Sequence, residues 1–156
     1  MTDINNETQF RQALKQMSLA NQREAGALFV EQVAYLADDE RITFAIRVAK
    51  NKDPADDELT AAHKAAKAAA IDCYTRCGSD ADWSAQAGYF VARAASAIVS
   101  PEKDVGRDGP AWTAAANSRL ARTCSIIDAN DEAESQEAGK QYRILEDYLN
   151  KLNKRV

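Results

Sequence analysis

The sequence has few aromatic residues and a single histidine, and this scarcity limits the chemistry that it can carry out. Aromatic residues make up 7% of the 156 positions, and the chain has only 6 glycines and 3 prolines. It contains no glycine-rich phosphate loop, nucleophile elbow or paired-histidine motif. Di-metal helical enzymes take a Glu-x-x-His motif from each of two helices, which His63 alone cannot supply. We therefore expect neither an enzyme nor a cofactor.

The chain also has no excess of positive charge and no long apolar segment. Its 24 acidic and 20 basic residues give a net charge of −4, which argues against nucleic acid as a partner. No window approaches the roughly 18 consecutive apolar residues of a membrane span. The first ten residues, MTDINNETQF, resemble no export signal. We expect a cytoplasmic protein with no membrane association.

Three cysteines, Cys73, Cys77 and Cys124, are an odd number, which favours a reducing compartment. Cys73 and Cys77 are spaced to share one helix face, but a metal site needs two further ligands. His63 precedes Cys73 by ten residues, or about 15 Å along a helix, so it is too far away to join them. We expect buried structural cysteines and no metal.

Alanine is abundant, and residues 56–100 concentrate it in two segments that meet at Cys77-Gly78-Ser79-Asp80. Alanine has the highest helix propensity, and its small side chain lets two helices approach closely. The pattern predicts a tight antiparallel helix pair around which the remaining helices pack. Gly78 is expected to end the first helix, and Ser79 with Asp82 to form a capping box for the second.

No stretch alternates apolar and β-branched residues as a strand does, so the fold class is all-α. Helical spacing predicts a bundle of six or seven helices in a single domain over residues 1–156, with residues 1–6 frayed. The other helices are expected at about 7–17, 18–37 (one bent helix or two), 40–50, 110–127 and 131–153. For the helix that begins at Pro110, the expected buried side is Trp112, Ala115, Ala116, Leu120, Cys124 and Ile127.

Two acidic clusters precede or begin helices, and they have two interpretations. One cluster is Asp38, Asp39 and Glu40, and the other is Asp53 with residues 56–58. Acidic residues at helix N-termini are favoured by the helix dipole, which explains both clusters without a function. Alternatively, they form a docking surface for a basic partner. His63 is either a half-buried, hydrogen-bonded residue or a catalytic one. The candidate partner-binding residues are Asp38, Asp39, Asp56, Asp57, Glu58 and His63.

Three short patterns resemble those of a helical family of bacterial immunity proteins, the immunity-five-like group. They are Asp39-Glu40-Arg41 at a helix start, Ala61-Ala62-His63 in an alanine-rich helix, and Ala92-Arg93-Ala94 in a second one. The likeness extends over about residues 28–98. Where family members commonly carry further histidines, this chain has Tyr89-Phe90-Val91. The resemblance implies a protein that binds and neutralises a toxin encoded beside it and has no catalytic activity of its own.

Three hypotheses of different classes follow. The first is a protein-binding module, in particular an immunity protein for a bacterial toxin, present as a monomer or homodimer. The second is a self-associating structural or scaffold protein, whose sign would be an exposed apolar stripe. The third is a small-molecule-binding or enzymatic bundle, for which we expect a deep pocket lined by His63 and several tyrosines.

Overall fold

The all-α prediction is confirmed by a computed structural model, which describes residues 2–77, 82–131 and 134–155. These residues form seven α-helices and two short 3-10 turns, and contain no strand. The turns span Ala34–Leu36 and Glu102–Asp104. The helices are α1 (Glu7–Lys15), α2 (Leu19–Val33), α3 (Glu40–Lys50), α4 (Asp56–Cys77), α5 (Trp83–Ile98), α6 (Gly109–Asp128) and α7 (Glu137–Lys154).

Four helices begin where a side chain accepts a hydrogen bond from an otherwise unpaired backbone N–H. Asn6 caps α1, and Ser18 caps α2 as its sequence position predicts. Asp39 caps α3 by accepting from the Arg41 amide. Asp82 caps α5 by accepting from the Ala85 amide. Asp82 is therefore the N-cap residue of α5, where we expected it inside the first turn; the expected roles of Gly78 and Ser79 fall outside the described residues.

The centre of the bundle is α5, which packs extensively on α6 and on α4. The pair α4–α5 runs antiparallel, because His63 contacts Ser96 while Tyr74, further along α4, contacts Tyr89, further back along α5. A Cβ added at Gly88 would lie 3.2 Å from the Cys73 sulfur, so the two helices approach closely there. The predicted alanine-rich pair is therefore present. The buried alanines include Ala62, Ala66 and Ala69 of α4 and Ala87, Ala92, Ala94 and Ala95 of α5.

Larger apolar side chains form a second cluster between α1, α2, α6 and α7, built around Phe10, Phe29 and Leu145. The guanidinium of Arg119 lies 5.3 Å from the ring centres of both Phe10 and Trp112. It donates to Glu7 at 2.9 Å and to the buried Gln141 at 2.7 Å. This arginine thus joins three helices through both its charge and its flat face.

Glu137, on the same side of α7, is 2% exposed, and its Oε2 atom has no hydrogen-bond partner. Burial raises the pKa of this carboxyl group, against the nearby positive charges of Lys140, Arg122 and Arg119. Folding around the charged form of Glu137 is therefore less favourable than folding around the neutral form.

One helix boundary and one helix face differ from expectation. The predicted last helix, 131–153, begins instead at Glu137, since residues 134–136 are not helical. Leu120 and Ile127 of α6, expected inside, are 47% and 43% exposed. The buried face of α6 consists mainly of small side chains, namely Ala111, Ala114, Ala115, Ser118, Ala121 and Cys124.

The segment before α1, expected to fray, is held against α7. The Thr2 amide donates to Asn150 at 3.1 Å and the Ile4 amide to Glu146 at 2.7 Å, and the Ile4 side chain is buried. No helix in the described ranges has both the length and the apolar character needed to cross a membrane.

Candidate functional site

An open groove with a volume of about 600 Å³ lies along α5 between α4 and α6. Both of these helices pack on α5 but have few contacts with each other, so a channel remains above α5. The α4 wall presents His63, Lys67, Ala70, Ile71 and Tyr74. From α5 and the residues after it come Tyr89, Arg93, Ser96, Ala97 and Ser100, and from α6 come Thr113 and Asn117.

The antiparallel register of α4 and α5 fixes the order of groups along the groove. His63 contacts Ser96 at one level. One helical turn further on, Lys67 of α4 and Arg93 of α5 reach the next level. Beyond them, the rings of Tyr74 and Tyr89 lie 5.8 Å apart, centre to centre. The groove therefore changes from polar to cationic to apolar and aromatic along its length.

His63 is half-buried at the polar end, and its Nδ1 atom lies 3.1 Å from the Ser96 carbonyl oxygen. A carbonyl oxygen only accepts hydrogen bonds, so in the tautomer with a hydrogen on Nδ1 the ring donates to this oxygen. Nδ1 then cannot take the proton of the Ser96 hydroxyl, which is 3.3 Å away. No described carboxylate orients the ring. The pair therefore does not have the arrangement of an activated serine nucleophile.

The middle of the groove is positively charged. Lys67 and Arg93 are exposed, and no carboxylate is among the lining residues. Neither cation forms an ion pair with a described residue; the contact found for Arg93 is with the Tyr89 ring, 5.7 Å from its guanidinium carbon. This local sign is opposite to the net charge of the chain.

The apolar end carries two large exposed side chains. Ile71 is 63% exposed and Tyr74 is 68% exposed. On α6, Leu120 follows Asn117 by three residues and Ile127 follows Leu120 by seven. Helical spacing therefore places these two exposed apolar side chains on the Asn117 side of the helix, beyond the lining residues. The remaining large apolar residue of the described chain with comparable exposure is Tyr35, which lies elsewhere and accepts a hydrogen bond from Arg122.

The acidic candidates do not form one surface. Arg41, at the start of α3, bonds to both Asp39 and Asp72, which places this acidic cluster beside the C-terminal part of α4. Asp56, Asp57 and Glu58 are exposed in the first turn of α4. The 16 residues from Asp56 to Asp72 correspond to about 24 Å of helix. Of the six candidate residues, His63 alone lines the groove.

The two clusters also differ in their freedom to contact a partner. Hydrogen bonds from the Arg41 guanidinium hold the pKa of Asp39 below its ordinary value. Because Asp39 also caps α3, its carboxylate is already hydrogen-bonded within the protein and is less free to contact a partner. Asp38, Asp56, Asp57 and Glu58 are exposed, and their carboxylates make no side-chain hydrogen bond to a described residue.

Cys73 and Cys124 are both buried. The Cys73 sulfur lies 3.1 Å from an Arg76 nitrogen, and the Cys77 side chain falls outside the described residues. Within the described residues, no group of three or more His, Cys, Asp or Glu side chains is arranged to hold a metal ion.

Sequence reasoning did not name Lys67, Arg93, Ile71 or Tyr74 as site residues, although a pocket lined by His63 and several tyrosines was the sign expected of a small-molecule-binding bundle, and His63, Tyr74 and Tyr89 line this groove. A signal for two of them was present in α4, whose buried stripe consists of Leu59, Ala62, Ala66, Ala69, Ala70 and Cys73. Ile71 and Tyr74 fall outside that stripe. Large apolar residues on the solvent side of an amphipathic helix are candidates for binding.

Comparisons with protein-family models, with curated proteins and with solved structures found no match to this chain. The resemblance to immunity proteins therefore stays a prediction.

Proposed function

We propose that this protein is a non-catalytic binding module and that the α4–α5–α6 groove is its binding site for a protein partner. The observation that carries this proposal is the exposure of Ile71 and Tyr74 on one wall of the groove. Leu120 and Ile127 are exposed further along α6, beyond the lining residues. Burying such side chains against a partner contributes about 1.5–3 kcal/mol for each fully buried aliphatic or aromatic group. Tyrosine in particular is enriched among the residues that dominate binding energies.

The chemistry of the groove supports binding in preference to catalysis. Its single histidine uses Nδ1 in a contact with a backbone carbonyl, and no carboxylate lines the groove to serve as a second acid or base. General acid–base catalysis needs such a positioned group.

The narrower form of the proposal is a cytoplasmic immunity protein that masks a bacterial toxin encoded by a neighbouring gene. The sequence patterns around Arg41, His63 and Arg93 support it. In this form, the exposed acids Asp56, Asp57 and Glu58 assist encounter with a basic toxin surface, because complementary charge mainly raises the association rate. The groove supplies the apolar contacts that slow dissociation.

Co-expression tests this narrower form. The neighbouring gene is induced in a bacterial host with and without this protein, and growth is measured. We expect the wild type to restore growth and the Ile71→Ala/Tyr74→Ala variant to fail. Tyr35→Ala is the matched control, because Tyr35 is 65% exposed and lies outside the groove. A neighbour that is harmless alone, or toxicity unchanged by this protein, would refute the immunity assignment.

A second variant separates the two proposed surfaces. Changing Asp56, Asp57 and Glu58 to lysine reverses the exposed charges at the start of α4 without touching the groove. We expect slower association with the toxin and weaker protection, measured by surface plasmon resonance and by growth. An unchanged association rate would mean that this acidic cluster has no part in docking.

Self-association is the second candidate function, because an exposed apolar stripe was its expected sign and Ile71, Tyr74 and Leu120 provide one. Sedimentation over a range of protein concentrations distinguishes it from binding to a different protein. A dimer that dissociates on dilution and is lost in Ile71→Ala/Tyr74→Ala would favour self-association through the groove.

A further inference from the structure

We propose that the groove also binds a small amphipathic organic anion: a carboxylate between Lys67 and Arg93, attached to a flat apolar body that lies against Ile71, Tyr74 and Tyr89. This inference requires the groove to be a binding site but does not require a protein partner. It can therefore fail while the co-expression result stands, and the reverse.

Charge complementarity is the first reason. The chain has 24 acidic and 20 basic residues, so a lining that contains two cations and no carboxylate runs against its composition. Arg11 and Arg41, which are partly buried, are each paired with an aspartate. Lys67 and Arg93 have no such partner within the described residues, and they are free to bind an anion.

The order of groups along the groove is the second reason. Because His63 meets Ser96 and Tyr74 meets Tyr89, Lys67 and Arg93 occupy the level between a polar end and an aromatic end. A carboxylate at that level places its attached apolar body against Tyr74 and Tyr89, whose rings are tilted by 50° to each other. Hydrogen-bonding groups of the ligand, where present, would face Ser96 and His63.

The size of the groove is the third reason. Its volume of about 600 Å³ falls within the range of about 300 to 1,000 Å³ that is usual for small-molecule sites. Such sites are mostly apolar with a few placed polar groups, which matches a lining of alanine, isoleucine and tyrosine around two cations. The ring pair of exposed Tyr74 and partly buried Tyr89 also offers stacking contacts to a flat ligand.

The test uses naphthalene-2-carboxylate as the probe and its neutral amide, naphthalene-2-carboxamide, as the matched control ligand. Titration calorimetry with the full chain is expected to give one site for the carboxylate, with a Kd on the order of 0.1 mM. The amide has the same shape but no charge, so we expect it to bind about tenfold more weakly. Amide chemical-shift changes in NMR spectra locate the site and should be concentrated at groove residues of α4 and α5.

Two double variants test the charges. Lys67→Gln/Arg93→Gln should reduce carboxylate affinity about tenfold and leave amide affinity unchanged. Lys15→Gln/Arg143→Gln removes the same charges from exposed positions outside the groove and should leave both affinities unchanged. Far-UV circular dichroism checks that each variant is folded.

Several results would overturn the proposal. They are the absence of saturable carboxylate binding, equal affinities for the carboxylate and the amide in the wild type, and shift changes located away from the groove. The comparison of the two ligands in the wild type decides the matter even if a variant is poorly folded.

Discussion

Gly26 of α2 lies so close to α5 that no larger side chain fits there without a shift. Gly26→Ala should therefore destabilise the protein, although alanine is the better helix former. A Cβ added there would lie 2.7 Å from the Cγ2 methyl of Ile98, closer than carbon atoms pack. The same Cβ would be 3.5 Å from Ala111 and Ala114 of α6, which is ordinary contact. The conflict is therefore with one methyl group of α5.

That methyl group cannot move away cheaply. Ile98 is completely buried, and a β-branched side chain in a helix has one strongly preferred χ1 rotamer. Overpacking of this kind costs about 1–3 kcal/mol. Replacing glycine by alanine inside a helix stabilises it by about 1 kcal/mol. The free energy of unfolding is therefore expected to fall by up to about 2 kcal/mol.

Urea denaturation followed by circular dichroism measures this loss, with Gly139→Ala as the control. Gly139 lies in the first turn of α7, and an added Cβ would meet nothing within 4 Å. The control should gain about 0.5–1 kcal/mol, or raise the Tm by about 1–4 °C. The two glycine-to-alanine changes are thus predicted to have opposite signs.

A double-mutant cycle identifies the cause. Ile98→Leu keeps the side-chain volume but moves the branch from Cβ to Cγ, which removes the conflicting methyl from its present position. In that background, Gly26→Ala should become neutral or stabilising, with a coupling energy of about 1–3 kcal/mol. If Gly26→Ala in the wild type stabilises the protein as much as Gly139→Ala does, the close approach of α2 to α5 is not as described.

Three further changes test the polar groups. Glu137→Gln should stabilise the protein at pH 7 by about 1–3 kcal/mol, because the raised pKa of Glu137 means that burying its charged form destabilises the fold. This gain in stability should disappear below the ordinary glutamate pKa of about 4, where the carboxyl group is neutral. Urea denaturation at both pH values measures the difference. Asp39→Asn should cost about 1 kcal/mol of stability at pH 7, because a carboxyl group whose pKa is lowered by folding stabilises the protein at pH values above its ordinary pKa. In the same urea experiments, the difference between variant and wild type should shrink as the pH falls through the pKa of Asp39 in the folded protein. Arg119→Met should cost about 1–3 kcal/mol, since it leaves the buried Gln141 side-chain oxygen without its donor and removes the ion pair with the partly exposed Glu7. Thermal melts of Arg143→Met, which changes an exposed arginine of α7, should show a loss below about 1 kcal/mol.

Much of the helical framework could be predicted from the sequence, because its signals are local. The bounds of α3 follow from an acidic cap and a proline after the helix, and Ser18 caps α2 as its hydroxyl predicts. The start of α7 could not be predicted in the same way. Residues 134–136 (Glu-Ser-Gln) are not helical and carry no apolar side chain that could continue the buried stripe of α7, so packing does not favour extending the helix over them.

The groove could not be predicted because it depends on which face of each alanine-rich helix turns inward. On bulk alone, Leu120 and Ile127 belong in the core, and we expected them there. In the structure, α5 and α6 pack closely, and the small residues Ala114 and Ala121 of α6 are buried in the same cluster as the alanines of α5. Close packing of small residues then leaves the larger apolar groups of α4 and α6 outside, on the two sides of α5. The inward orientation of the alanine faces therefore both forms the core and leaves the larger apolar side chains exposed. For this reason, exposed isoleucine, leucine and tyrosine occur together on the surface of a chain with few aromatic residues.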